Sequence, residues 1–319
     1  MQRYSTQSLV DETVQVDSTI YHDDSDPWIT ARKNLQDIDC CVVSVCSPKN
    51  DDEHQNATKT ECRNNPLEAN LAVLQERLAD GGPSDIDIRV RIDTTTFDLA
   101  VKDCLRVCSS MVEAGGKVGE DSTSTVEESS DLLVPATALA DLAMGMASFA
   151  DDCAGLQSSG GVFLRIVCAS SYRAHDPMFH TDKAPLRGYA TLRGVGTEFV
   201  THPCSPVEYL ALRSLSKKLP RFGDQSNDEN TQDLRCASEK EFIVMKGDYY
   251  YRGNSEVSSW WQRAFACVHR SPPGTNRGSR RVIVSFDLAD GDDDREWYDV
   301  HQKRQWRAGM TQRKSKLVA

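Results

Sequence analysis

The stretch FHTDKAPLRGYATLRGVGTEFV, residues 179–200, decides which fold we expect for this chain. It contains short runs of β-branched and aromatic residues separated by glycine and proline, and such runs are typical of strands. Similar runs recur from residue 161 onward, and they read GVFLRIVCAS, EFIVMKGDYYYRG, AFACVHRS and RRVIVSFDL. The C-terminal half is therefore predicted to form a β-sandwich or barrel.

The earlier part of the chain has a mainly helical pattern. The spacing of apolar residues predicts helices over 67–79, 97–112 and about 135–153, with Pro135 near the first turn of the last one. The run IDIRVRID alternates apolar and polar residues and predicts a strand over 86–93. Helices followed by strands favour the α+β class, with the helices on the N-terminal side.

Polar, low-complexity stretches interrupt both regions, and they cannot bury enough apolar surface to order themselves. They cover 47–66, 114–131 and 223–240, which we predict to be loops or insertions. The resulting division of the chain has four parts: a disordered N-terminus at 1–25, an N-terminal support region at 26–160, a β core at 161–288 and a charged tail at 289–319.

Composition limits the classes of function. A net charge of −11 over 319 residues argues against nucleic-acid binding. No apolar run approaches the roughly 18–20 residues that span a bilayer, and the N-terminus lacks the apolar segment of a secretory signal. We therefore expect an intracellular, cytoplasmic protein without a membrane partner. The eleven cysteines lack the paired spacing of zinc knuckles. The sequence indicates neither a substrate nor an oligomeric state.

His180 and Asp182 are the first two residues of a candidate metal site. In an extended chain, residues i and i+2 point to the same side, so both side chains can reach one ion. His269, at the end of a later apolar run, would complete a set of two histidines and one carboxylate. Such a set leaves positions open for substrates and oxygen. Taken alone, a His-x-Asp pair is more often a surface hydrogen bond than a metal site.

Arg281 is a candidate anion ligand in the strand after His269. It shares one face with Ile283 and Ser285, while the residues between them point to the other face. A guanidinium beside a metal ion suits the remote carboxylate of a dicarboxylate co-substrate, because it pairs with a carboxylate through two hydrogen bonds. An ordinary ion pair at a strand end is the alternative.

The order His-x-Asp, distal His, then Arg resembles the double-stranded β-helix of the Fe(II)- and 2-oxoglutarate-dependent oxygenases. The resemblance implies a jelly-roll or cupin-like barrel, Fe(II) as the metal and 2-oxoglutarate as co-substrate. Many of these enzymes carry Ser or Thr two residues after the arginine, where this chain has Ile283. Further candidates for the carboxylate contact are therefore the alternating residues on the strand after Asp182, namely Arg187, Tyr189, Thr191 and Arg193.

Several blocks also resemble the family called domain of unknown function 1826. They are FHTDKAPLRGYATLRGVGTEFV, VMKGD, and VHRSPP followed by RRVIVSFD, and the resemblance is clearest over 161–288. That family brings no activity with it. The main hypothesis is therefore an Fe(II) oxygenase that hydroxylates an unknown substrate. The alternatives are a non-catalytic zinc- or iron-handling accessory protein with the same ligands, and a barrel that serves only for interaction.

Glu198, which follows a glycine-rich turn, has two interpretations. It is either a residue that supports the metal site from behind the ligands or an exposed position of a strand. The sequence alone leaves both open.

Overall fold

The computed structural model describes residues 26–46, 66–80, 86–114, 127–153, 160–169, 178–215, 234–250, 263–272 and 281–288. The predicted disordered N-terminus at 1–25 and the tail at 289–319 lie outside the described residues, as does most of the predicted loops at 47–66 and 114–131. The insertion predicted at 223–240 is described only from residue 234, where a short strand begins.

Helices and antiparallel strands make up the described part of the chain, which confirms the α+β class. The helices are α1 (Pro27–Gln36), α2 (Pro66–Leu74), α3 (Phe97–Ala114), α4 (Glu127–Asp151) and α5 (Pro206–Leu215). The strands are β1 (Val42–Cys46), β2 (Ile86–Asp93), β3 (Gly161–Ala169), β4 (Leu186–Arg193), β5 (Glu198–Val200), β6 (Leu234–Cys236), β7 (Phe242–Lys246), β8 (His269–Arg270) and β9 (Arg281–Leu288).

The strands form two antiparallel sheets. The larger sheet has the order β1-β7-β4-β9-β3-β2, and the smaller has the order β6-β5-β8. From β3 onward the chain passes back and forth between them: β3, β4, β7 and β9 belong to the larger sheet, and the segments between them pair in the smaller one. This alternation brings segments that are distant in sequence to the same place.

Two predicted helices differ from the observed ones. The helix predicted over 67–79 is α-helical only to Leu74, and Gln75–Asp80 continue as a π-helix. The helix predicted to start near Pro135 begins at Glu127, so Pro135 lies inside α4 rather than near its first turn. Leu132, one turn before the proline, packs against the core. Tertiary packing there favours the helix despite the backbone hydrogen bond that proline removes.

Helices α1 to α4 cover one face of the larger sheet and form the main apolar core with it, whereas α5 packs against Phe179, Val200 and Val268. Trp28 of α1 packs edge-on against Phe149 of α4 and Phe242 of β7, with ring centroids 5.8 and 5.4 Å away. Gly145 of α4 allows this packing, because a Cβ at that position would lie 2.8 Å from the indole ring. The N-terminal helix is thus fixed to both the sheet and α4.

One segment of α4, Asp131–Asp151, is long and apolar enough to cross a membrane by length and composition, with a mean hydropathy of 1.6. The sequence interpretation expected no such run. The segment reaches this value because only Asp141 interrupts it between its terminal aspartates. Over half of it, 56%, is buried inside the fold, where it packs against the larger sheet and the neighbouring helices.

The opposite face of the larger sheet points toward the smaller sheet. In β9, Val282, Val284 and Phe286 belong to the helix-side core. Ile283 and Ser285 line a pocket on the other side, as the alternation in the sequence predicts. The larger sheet therefore separates a structural core from a polar pocket, and the candidate site lies in that pocket.

Candidate metal centre

The structure brings His180, Asp182 and His269 together. His180 pairs with His269, the first residue of β8, through an antiparallel bridge. Each histidine amide donates to the other's carbonyl, and both N–O distances are 2.9 Å. Asp182 lies two residues further on, in the segment that leads into β4. Backbone pairing thus fixes the separation of the two imidazoles.

The three side chains form a compact set of ligand atoms. One nitrogen from each histidine and one oxygen of Asp182 all lie within 4.8 Å of one another. His269 Nε2 is 3.1 Å from Asp182 Oδ2, and the two imidazole centroids are 4.5 Å apart. Two ligands at right angles, each about 2.1–2.2 Å from one ion, are separated by about 3 Å, so this spacing suits a divalent metal.

Both imidazoles are oriented by backbone carbonyls. His180 Nδ1 donates to the Met178 carbonyl at 2.8 Å, and His269 Nδ1 donates to the Cys267 carbonyl at 3.1 Å. A carbonyl only accepts hydrogen bonds, so the proton of a neutral ring lies on Nδ1. The lone pair is then on Nε2 in each ring, which is the arrangement found in metal-ligating histidines.

The pKa shifts favour the protonation states that a metal ion needs. Burial lowers the pKa of His180, and the neighbouring His269 lowers it further, against the opposing effect of Asp182. Burial alone would raise the pKa of Asp182, but Arg187 and His269 more than offset it and the pKa is lowered. A neutral imidazole and an ionised carboxylate are the ligand forms. The donor set therefore fits a divalent cation.

A tight turn after β7 holds the segment that carries Asp182. The Asp248 amide donates to the Asp182 carbonyl at 2.7 Å, and the Gly247 amide donates to the Pro185 carbonyl at 2.9 Å. A Cβ at Gly247 would lie 1.8 Å from the Ala184 carbonyl oxygen. Only glycine fits this approach, which gives the block VMKGD a structural role next to the metal ligand.

Arg281 is buried on the pocket side of β9, with 1% of its surface exposed. Its guanidinium donates to the hydroxyls of Tyr189 at 2.5 Å, Thr197 at 2.9 Å and Ser271 at 3.3 Å. Tyr189 was a sequence-based candidate, whereas Thr197 and Ser271 were not. Hydroxyls from other segments thus stand in for the Ser or Thr that is absent at Ile283. Their distance from Arg281 along the sequence follows no known motif, so the sequence could not indicate them.

Arg187 lies on the pocket side of β4 and contacts two carboxylates. Its NH1 donates to Asp182 Oδ2 at 2.5 Å. Its NH2 donates to Asp287 Oδ2 at 2.8 Å, and its Nε donates to Asp287 Oδ1. The sequence suggested Arg187 as a co-substrate ligand, but its observed partners are protein carboxylates. Asp287 was not singled out from the sequence.

One pocket lies between the two histidine ligands and the hydroxyl residues that hold Arg281. Its lining comes from both sheets and the loops between them: Arg165, Val167, His180, Arg187, Tyr189, Thr197, His269, Ser271, Ile283 and Ser285. Polar and charged side chains predominate, so the pocket suits a metal ion and a small anionic ligand better than an apolar one.

Glu198 is fully buried, so the interpretation as an exposed strand position is wrong. Its Oε2 accepts from Nε of Arg270 at 2.5 Å. The Arg270 guanidinium also lies over the ring of Phe179, with Cζ 4.4 Å from the ring centroid. Phe179 directly precedes His180, and Arg270 directly follows His269. This buried group therefore supports the pairing of the two ligand-bearing segments, as the other interpretation proposed.

Comparison with known families agrees with the resemblance noted in the sequence. The profile of the family described as protein of unknown function (DUF1826) matches residues 68–287. This range includes all three candidate ligands and Arg281. No curated protein matches the sequence.

Three solved structures show distant similarity. The dioxygenase for auxin oxidation (DAO) of rice has 14% identity and a TM-score of 0.35, over 72% of this chain and 69% of that one. The Arabidopsis thaliana dioxygenase for auxin oxidation 1, solved as a complex with 2-oxoglutarate, has 12% identity and a TM-score of 0.34, over 71% and 78%. A full-length Neurospora crassa protein, solved in complex with alpha-KG, has 13% identity and a TM-score of 0.33, over 83% and 79%.

Proposed function

The chain belongs to the DUF1826 family, and we propose that it is an Fe(II)- and 2-oxoglutarate-dependent oxygenase. The observation that carries this proposal is one pocket lined both by the two histidines of a His-Asp-His set and by the three hydroxyl residues that hold the buried Arg281. Each half of the pocket suits a different part of the same chelating co-substrate.

His180, Asp182 and His269 would hold the ion. Imidazole and carboxylate ligands suit Fe(II), and three protein ligands leave coordination positions for small molecules. With both Nδ1 atoms donating to carbonyls, each imidazole can use only Nε2, so the ligands converge from one side. When bound, Fe(II) and 2-oxoglutarate supply oxygen activation coupled to decarboxylation of the co-substrate, and a C–H bond of the substrate is hydroxylated.

Arg281 would bind the remote carboxylate of 2-oxoglutarate. Its guanidinium is held by Tyr189, Thr197 and Ser271, and these three residues also line the pocket that contains the histidines. Hydroxyls beside a guanidinium can donate to the same carboxylate, so an entering carboxylate would replace hydrogen bonds rather than leave them unmade. Arg187, already bonded to Asp182 and Asp287, would contribute orientation instead.

We further propose that residues 161–288 form a double-stranded β-helix of the jelly-roll type. The support for this is the alternation of successive segments between the two antiparallel sheets from β3 to β9. The two sheets face each other across the pocket, and the helical region before β3 covers the outer face of the larger sheet.

The decisive experiment is anaerobic titration of the full-length protein with Fe(II) and then 2-oxoglutarate. We expect one Fe(II) per chain and a visible metal-to-ligand charge-transfer band when 2-oxoglutarate chelates the ion. His180→Ala and His269→Ala should each abolish the band and reduce metal content, because each removes one of three ligands. His202→Ala is the matched control, since this half-buried histidine lies outside the ligand set.

Arg281→Gln separates the co-substrate from the metal. It should leave Fe(II) bound while the concentration of 2-oxoglutarate needed for the band rises at least about tenfold, the size of one lost charge-assisted pair. If the wild-type protein binds Zn(II) tightly but shows no band with Fe(II) and 2-oxoglutarate, the oxygenase proposal fails and the non-catalytic metal-binding alternative is supported. If the histidine variants keep their metal, both fail.

A further inference from the structure

Asp182 differs from the two histidines because, among the described residues, its side chain contacts Arg187 and His269 rather than the backbone. Its backbone lies in the segment between the His180 bridge and β4, outside regular strand structure. A carboxylate can bind an ion through one oxygen or through both, and its rotation decides which. Some other group must therefore fix the orientation of Asp182 if the number of open metal positions is to be constant.

Arg187 makes the contact that fixes it. Its NH1 donates to Asp182 Oδ2, which is also the oxygen 3.1 Å from His269 Nε2. The oxygen that faces the other ligand is thus the one that the arginine holds. An oxygen that accepts from a guanidinium on one side has its remaining lone pair directed toward the ion, which favours binding through that single oxygen.

Asp287 in turn fixes Arg187. The two residues are direct cross-strand partners in β4 and β9, and Asp287 accepts from both Nε and NH2 of the guanidinium. Asp287 is 2% exposed and Arg187 is only partly exposed, so the pair is screened less by salt than a surface pair would be. Nε and NH2 of Arg187 therefore anchor the guanidinium to Asp287, and NH1 donates to the metal ligand Asp182.

The charges of this group also suit a dication. Arg187 offsets the charge of one of the two aspartates, so Arg187, Asp182 and Asp287 together carry one net negative charge beside the two imidazoles. Without the arginine, Asp182 would lose the contact that orients it and would be able to turn and supply a second oxygen. Bidentate binding would occupy a position that a co-substrate needs.

On these contacts we propose that Arg187, anchored by Asp287, is a positioning residue that keeps Asp182 a one-oxygen ligand and so keeps the metal site open. This inference rests on the proposed function, because it requires that His180, Asp182 and His269 bind a divalent ion.

The test uses Co(II) as the probe, with the full-length protein, three variants of the Arg187–Asp287 pair and one control variant. Titration gives the dissociation constant, and infrared difference spectra of the bound minus the metal-free protein give the splitting of the carboxylate stretches, which distinguishes one-oxygen from two-oxygen binding. Arg187→Met should weaken Co(II) binding by about 10–100-fold, as is usual when a partner of a metal ligand is lost, and the infrared signature should change to two-oxygen binding.

Two further variants keep the test decisive if Arg187→Met does not fold. Asp287→Asn keeps the arginine but weakens its anchor, and it should shift both readouts in the same direction by a smaller amount. Arg187→Lys keeps the charge but cannot bridge two carboxylates, so it should restore less than half of the lost binding free energy. If Arg187→Lys behaves like wild type, the positive charge alone is sufficient and the positioning role is wrong.

Arg165→Met is the matched control. Arg165 also lines the pocket and also pairs with an aspartate through two hydrogen bonds, to Asp87 at 2.9 Å each. It should leave the infrared signature of Asp182 unchanged. If Arg187→Met binds Co(II) within twofold of wild type with an unchanged signature, the positioning role is wrong while the metal site stands. If wild type binds no Co(II), both proposals fall.

Discussion

At the scale of single residues, the two histidines and the aspartate are held by different kinds of contact. Carbonyls orient His180 and His269, whereas a guanidinium orients Asp182. The sequence indicated all three ligands, because a His-x-Asp pair and a later histidine on strand-like segments form a recognisable order. It did not indicate Asp287, Thr197 or Ser271, because their roles follow from cross-strand register and loop positions that have no sequence pattern.

The burial of His180 predicts a pH dependence of folding in the metal-free protein. Burial lowers its folded pKa below the ordinary value of about 6.5. Between the two pKa values the unfolded chain binds a proton that the folded chain does not, so stability falls as pH decreases below about 6.5 and is complete above it. Asp182, with its lowered pKa, contributes a change only below its ordinary value of 3.8.

Urea unfolding between pH 5 and 8, compared for wild type and His180→Gln, measures this contribution. Wild type should lose stability relative to the variant below about pH 6.5, by no more than about 1.4 kcal/mol per pH unit, the limit for one group. Parallel curves for the two proteins over this range would contradict the lowered pKa.

At the scale of elements, strand β2 begins and ends where the sequence predicted, and helix α3 begins at the predicted residue but continues to Ala114 instead of residue 112. Strict alternation and a long apolar face are strong local signals. The boundaries of α2 and α4 were less well predicted, since a π-helical end and an internal proline depend on packing against the core rather than on local sequence. The alternation between two sheets was also not visible locally, because it depends on long-range pairing.

Gly247 gives a prediction at this scale, because it lies at the end of β7 and its backbone packs against the segment that carries Asp182. In Gly247→Ala the new methyl would meet the Ala184 carbonyl at 1.8 Å and the Asp182 carbonyl at 2.8 Å, so that segment must move. We expect a loss of about 1–3 kcal/mol in the free energy of unfolding and a weakening of Co(II) binding of at least about tenfold. Unfolding curves and Co(II) titration measure the two effects.

Gly161→Ala is the control for this change. A Cβ there meets only the guanidinium end of Arg91, 2.9 Å away, and the long arginine side chain can turn aside. This variant should bind Co(II) as wild type does. Equal metal affinity in Gly247→Ala and wild type would show that the turn does not set the position of Asp182.

At the scale of the whole molecule, a helix and a strand before the family-matched region complete the larger sheet. The match begins at residue 68, whereas α1 and β1 precede it. β1 pairs with β7 as the outermost strand, and Trp28 of α1 packs between α4 and the sheet. The site-bearing sheet therefore depends on residues that the family profile does not include.

Trp28→Ala tests this dependence. Loss of the indole removes packing against Phe149 and Phe242 and leaves a cavity beside Gly145, so the free energy of unfolding should fall by about 3 kcal/mol. Val207→Ala on α5 is the control, because its side chain is 77% exposed and its loss should change stability by less than about 0.5 kcal/mol. Chemical denaturation of both variants gives the comparison, and equal stabilities would show that α1 is dispensable.

The backbone bridge between His180 and His269 has a consequence for the order of events during synthesis. The first two ligands leave the ribosome with the middle of the chain, but their partner strand β8 follows only after β4 to β7 have been made. Until then a nascent chain can offer an ion two ligands at most. Binding of the ion by all three ligands therefore cannot precede the synthesis of β8, and it is coupled to the long-range pairing that brings His269 to His180.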